Sequence, residues 1–145
     1  MERSFYMEQL PYIDEHGTDV AAPRDRVWVA LNAVLRGELS GGTSFARVLG
    51  AEPSSATASF DGRPGQTLPG FRVVAADPQR LLVLEGRHRF SRYRLTFILE
   101  DQRLRAQTHA AFPGLRGRLY RAAVIGTGGH RLVTRRLLRM VARRV

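Results

Sequence analysis

His88 and Tyr93 are the side chains whose types and spacing best suit chemistry inside this protein. Leu82, Leu84, Gly86, His88 and Phe90 alternate with Val83, Glu85, Arg87 and Arg89. In an extended strand that parity sends the first set to one face and the second to the other. His88 is therefore expected to point inward, where an imidazole could act as general base or hydrogen-bond a ligand carbonyl. The plainer reading is a core histidine satisfied by one neighbour. Tyr93 follows on the next strand, where its phenol could orient a ligand or sit buried with its hydroxyl satisfied. His109 faces outward by the same parity. His130 stands beside Gly126-Thr127-Gly128-Gly129, where it could reach a cavity mouth or cap a helix break, and Tyr120 lies earlier on the same helical stretch. His88 is the best candidate for a catalytic group, though nothing in the sequence names a reaction.

Other chemistries are missing from the pattern. The chain has no cysteine, which excludes a disulfide framework, a thiolate zinc site and a cysteine nucleophile. It carries no Gly-x-Ser-x-Gly elbow and no phosphate loop, since the glycine run lacks a lysine and a preceding strand. Glu85 is placed on the solvent face, and Glu100-Asp101 at a turn, so no acid–base pair is expected inside. Asp14, Glu15 and His16 are neighbours on a strand, alternate between faces and cannot all converge. No metal site and no cofactor are expected.

The elements that position these groups can be read from periodicity. Tyr12 to Val20 reads as a first strand, with residues 1–11 as a flexible N-terminal extension. Ala22-Pro23 opens a helix with the buried stripe Val27, Trp28, Leu31, Val34, Leu35, ended by Gly37. A short second helix, capped by Thr43 or Ser44, runs through Phe45, Val48 and Leu49. Ala56–Phe60 and Phe71–Ala75 read as short strands, followed by a long strand from Arg80 to Phe90. Tyr93, Leu95, Phe97 and Leu99, then Leu104, Ala106, Thr108, Ala110 and Phe112, continue the alternation. Consecutive strands with short connections and one polar face predict an antiparallel meander. From Leu115 the period becomes helical, with Leu115, Leu119, Ala122, Gly126, Gly129, Val133, Leu137 and Met140 on one stripe. The glycine run predicts a kink or break, since each interior glycine costs about 1 kcal/mol relative to alanine. A single 145-residue domain of α+β class is expected.

Two stretches carry a family resemblance. Val20-Ala21-Ala22-Pro23-Arg24-Asp25-Arg26-Val27-Trp28-Val29-Ala30-Leu31 resembles the strand-to-helix opening of the START and birch-pollen-allergen-like (SRPBCC) superfamily, and Asp77-Pro78-Gln79-Arg80-Leu81-Leu82 resembles one of its hairpins. The element order is similar too. The resemblance implies a helix-grip fold: a curved antiparallel sheet around a long C-terminal helix, with two short helices after the first strand. It also implies a cavity for a small hydrophobic ligand such as a lipid or polyketide. A polyketide cyclase/aromatase-like or dehydratase-like enzyme is the alternative on the same cavity. The expected lining is His88, Phe90, Tyr93, Leu95, Phe97, Ala106, Thr108, Ala110, Tyr120, Gly126 and His130. Ala106, Thr108 and Ala110 are expected to face Ala122, Gly126 and Gly129. Small residues on both sides either leave volume or allow close helix–sheet packing.

Charge adds a separate expectation. All 23 basic residues are arginine, and the formal net charge is +10. Residues 102–145 hold 11 arginines and no acid, whereas residues 1–101 hold 12 arginines and all 13 acids. Such a field attracts nucleic acid, although few aromatics are interleaved for base stacking, or an anionic membrane surface, which the expected ligand cavity favours here. A solvated helix face is the ordinary alternative. The N-terminus lacks a signal-peptide h-region and no stretch is long and apolar enough to span a bilayer, so a soluble cytoplasmic protein is expected, as monomer or homodimer.

Overall fold

The computed structural model describes residues 9–40, 47–126 and 128–145. Its strands are β1 (Tyr12–Asp19), β2 (Thr67–Leu68), β3 (Phe71–Asp77), β4 (Leu81–His88), β5 (Ser91–Glu100) and β6 (Arg103–Ala111). Helix α1 is Arg24–Leu39, α2 is Gly114–Arg121, and α3 is Gly129–Arg144. The sheet is antiparallel in the order β1-β6-β5-β4-β3-β2, so the first strand closes against the last. Register shifts between Tyr12 and Asp14 and between Val73 and Ala75 bend it near both edges, as bulges do. Helix α3 packs on α1, β1 and β6, and α1 packs on β5. This is the α+β helix-grip architecture.

One face of the sheet holds the core. In register across β4, β5 and β6, Leu82–Phe97–Ala106 and Leu84–Leu95–Thr108 form successive rows. Val27, Leu31, Val34 and Leu35 of α1, and Leu137, Leu138 and Val141 of α3, fill the space above them. The alternation read from β5 and β6 holds, because a strand that buries one face must repeat every second residue.

Several boundaries differ from the sequence reading. Helix α1 runs through Gly37 to Leu39 and ends where the Ser40 N–H and hydroxyl both donate to the Arg36 carbonyl. An exposed glycine weakens a helix without having to stop it. Ala56–Phe60 is a loop, tied to β2 by Thr57 N–H donating to the Thr67 carbonyl at 2.8 Å. The expected cap of the second short helix, at Thr43 or Ser44, lies outside the described residues together with Phe45, while residues 47–49 are helical.

The C-terminal helix breaks where the glycines predicted. A wide π-type turn, Ala122–Gly126, follows α2, and Gly128 adopts φ 81° before α3 starts. That break resets the helical phase, so no single stripe runs from Leu115 to Met140. Leu115, Leu119 and Val133 are exposed at 72%, 64% and 56%, and the buried positions of α3 are Thr134, Leu137, Leu138 and Val141. Ala122 and Gly126 also lie outside, with open space around Gly126. They do not face Ala106, Thr108 and Ala110, all three of which are buried.

The opposite sheet face brings a second correction. Glu85 is 1% exposed rather than solvated. It sits in register between Arg72 on β3 and Arg94 on β5, and the Arg94 Nε lies 2.5 Å from its carboxylate. The Arg94 guanidinium compensates the charge of the buried acid.

Candidate functional site

The inward side chains at one end of the sheet form an aromatic group. His88 ends β4, opposite Ser91 at the start of β5. Its ring lies 4.7 Å from Tyr120, 5.6 Å from Tyr93 and 5.9 Å from Phe90, centroid to centroid. Phe90 and Tyr120 stack at 5.4 Å and 18°. Phe71 meets Tyr93 edge-on at 5.3 Å, and Phe112 lies 6.3 Å from Tyr120. All six rings are half-buried. Three of them, His88, Phe90 and Tyr93, come from the β4–β5 hairpin, and Tyr120 is lowered onto them by α2.

Two glycines make that approach feasible. A Cβ on Gly117 would sit 2.6 Å from the Phe112 carbonyl carbon and 3.0 Å from the Phe90 carbonyl oxygen. Only the missing side chain lets α2 rest this close to the strand ends. On β4, a Cβ on Gly86 would stand 1.9 Å from the Gly70 carbonyl oxygen. The Pro69-Gly70 loop therefore crosses directly over the strand, and its carbonyl receives the Tyr93 hydroxyl at 2.7 Å.

Hydrogen bonds set the state of His88. The Phe90 N–H donates to its Nδ1 at 3.1 Å, so that nitrogen carries no proton. The neutral ring then holds its proton on Nε2, which donates to the Ser91 hydroxyl at 3.1 Å. Burial lowers the His88 pKa from its ordinary value, in keeping with the acceptor role of Nδ1. Burial, with a smaller contribution from Tyr120, pushes the Tyr93 phenol well above its ordinary range, and burial raises Tyr120 as well. Both phenols stay protonated donors at neutral pH.

The remaining residues expected to line the cavity are spread over other surroundings. Leu95, Phe97 and Ala106 belong to the packed core under α1 and α3. Ala110 is buried in register with Tyr93, beside the aromatic group. Gly126 is on the outside. Thr108 and His130 meet each other, with Oγ1 and Nε2 3.0 Å apart.

That last pair belongs to a polar group which sequence reasoning did not assemble. Asp14 and His16 share the inward face of β1, and Asp14 lies opposite Thr108. One Asp14 oxygen is 3.2 Å from His16 Nε2 and the other 3.3 Å from His130 Nε2. Glu15 turns to the other face, where it accepts from Arg105 and Gln107. The alternation of Asp14, Glu15 and His16 was legible, and the i, i+2 pairing of Asp14 with His16 was the available signal. The arrival of His130, 116 residues later, was not. Among the described residues no cluster of His, Cys, Asp or Glu has the geometry to hold a metal ion. A shallow groove also lies between α1 and the end of α3, lined by Asp25, Arg26, Val29, Ala30, Arg144 and Val145.

Comparison with solved structures places the fold. The chain is similar to the Mll3558 protein of Rhizobium loti at 17% identity and a TM-score of 0.55, covering 93% of this chain and 96% of that one. Protein MLL2253 of Mesorhizobium loti is similar at 14% identity and a TM-score of 0.54, with 90% and 94% covered. Norcoclaurine synthase from Thalictrum flavum overlaps at 13% identity and a TM-score of 0.49, with 88% and 85% covered. No protein-family model matches the chain, and no curated protein does. At these identities the likeness to the Mll3558 and MLL2253 proteins is one of fold, the α+β helix-grip architecture.

Proposed function

We propose that this chain binds a small apolar ligand, with a flat or aromatic part, at the end of the sheet where His88, Phe90, Tyr93 and Tyr120 meet. The observation that carries the reading is that these rings are half-buried although they converge from three elements. A packed core would close over them, as it does over Phe97 and Leu104. Phe90 and Tyr120 offer faces for stacking, and apolar burial supplies the affinity. Tyr93 keeps a lone pair on its hydroxyl after donating to Gly70, so it can accept from a ligand N–H or O–H. Both nitrogens of His88 are engaged, so acting as a base would require giving up the Phe90 or Ser91 bond. That favours binding over the cyclase-like or dehydratase-like alternative.

The test is a titration with the fluorescent apolar probe 1-N-phenylnaphthylamine. Emission should rise on binding, and Tyr120→Ala should weaken the probe about tenfold, the value of about 1.4 kcal/mol of stacking and burial. No enhancement, or unchanged affinity in a folded Tyr120→Ala protein, would reject the reading.

A further inference from the structure

Helix α2 turns its other side to solvent, and that side has a composition the ligand site does not use. Leu115 and Leu119, one turn apart, are 72% and 64% exposed. Arg116 and Arg118 flank them and are exposed too. Helix α3, beyond the break, has an exposed line of its own. Leu132, Arg136, Arg139 and Arg143 follow at spacings of four, three and four, which lays them along one line opposite the buried Thr134, Leu138 and Val141. Arg136 contacts Glu38 of α1 at 3.5 Å. No acidic residue follows Asp101 anywhere in the sequence.

We propose that this face docks on an anionic lipid surface, with Leu115 and Leu119 of α2 entering the headgroup layer and the arginines of α2 and α3 holding lipid phosphates. Two features of the face select that occupant. Helices α2 and α3 carry arginine and no acid, Glu38 of α1 meeting Arg136, so a second copy of the chain laid against them would set arginine against arginine. Its apolar centre is aliphatic, which a nucleic-acid backbone has no use for and bases do not stack on, whereas a bilayer interface takes leucine and arginine together. The surface is the outer side of the helix that lowers Tyr120 onto the aromatic group, and the proposal does not depend on a ligand there.

Cosedimentation with sucrose-loaded vesicles tests this. The protein should pellet with phosphatidylglycerol/phosphatidylcholine vesicles at low salt, stay in solution with pure phosphatidylcholine, and be released as salt rises. Leu115→Gln/Leu119→Gln should lower partitioning to the anionic vesicles about tenfold, and Arg139→Gln/Arg143→Gln about twenty-five-fold, close to fivefold per arginine. Both variants alter exposed side chains, so circular dichroism and 1-N-phenylnaphthylamine binding should match the parent. A parallel arm with duplex DNA separates the alternatives. Binding to DNA that exceeds binding to anionic vesicles, with the leucine variant equal to the parent, would overturn the proposal in favour of nucleic acid. Absence of vesicle binding at low salt would overturn it outright.

Discussion

Gly86→Ala should damage the protein far more than one methyl group suggests. The added Cβ would lie 1.9 Å from the Gly70 carbonyl oxygen and 2.9 Å from both the Gly70 carbonyl carbon and Tyr93 Cε1. Ordinary contact begins near 3.4 Å, so the Pro69-Gly70 loop must retreat by about 1.5 Å. The obstacle is backbone, which cannot swing aside as a side-chain tip does. That loop is itself held by Gly70 N–H donating to the Pro53 carbonyl at 2.6 Å. Overpacking of this kind costs about 1–3 kcal/mol, and losing the Tyr93 hydrogen bond adds about 1 kcal/mol. The expected total is about 2–4 kcal/mol. With a urea slope of about 2 kcal/mol per molar, the unfolding midpoint should fall by about 1–2 M. Gly37→Ala is the control. Nothing lies within 4 Å of its Cβ, and it sits exposed inside α1. It should stabilise by about 0.5–1 kcal/mol, the ordinary gain of alanine over glycine in a helix. A Gly86→Ala midpoint equal to the parent's would refute the close crossing and, with it, the way Tyr93 is held.

Two further outcomes follow from the buried ionisable groups. Glu85→Ala leaves Arg94 beside a cavity without its carboxylate and should cost about 3–5 kcal/mol, while Glu85→Leu/Arg94→Met should recover most of it, both measured by urea unfolding. Burial depresses the His88 pKa below its ordinary 6.5, so the unfolded chain binds the extra proton first as pH falls. Stability should therefore decline as pH drops below 6.5 and level off once the folded-state pKa is passed, and His88→Asn should reduce that slope; an unchanged slope would place the titration elsewhere, with His109 the nearest candidate because burial and Arg94 lower it too.

The legible parts of this fold are those where one face is buried continuously. Leu82 to Leu84, Leu95 to Leu99 and Leu104 to Ala110 alternate because the core lies on one side only. The inward turn of His88 follows from the same parity. Glu85 escaped because alternation reports which face a residue takes and not whether that face is covered there, with Arg94 paired to the acid. The stripe from Leu115 failed where the π-type turn Ala122–Gly126 and the left-handed Gly128 changed the phase that spacing assumes constant. Tyr120, expected on the same helix as His130, stands on the separate helix α2, and its stacking on Phe90 depends on Gly117, whose role is visible only once Phe90 and Phe112 meet at one end of the sheet. The meeting of Asp14, His16 and His130 depends on β1 pairing with β6, a long-range contact that no local pattern encodes.

The central claim is that the aromatic end of the sheet is where a ligand sits. Its most direct test is chemical-shift mapping of the protein titrated with 1-N-phenylnaphthylamine. The largest shifts should fall on the His88 imidazole, on the Tyr93 and Tyr120 rings and on the Phe90 N–H. Shifts concentrated on Val29, Ala30 and Val145, in the groove between α1 and α3, with His88 and Tyr120 unmoved, would contradict it.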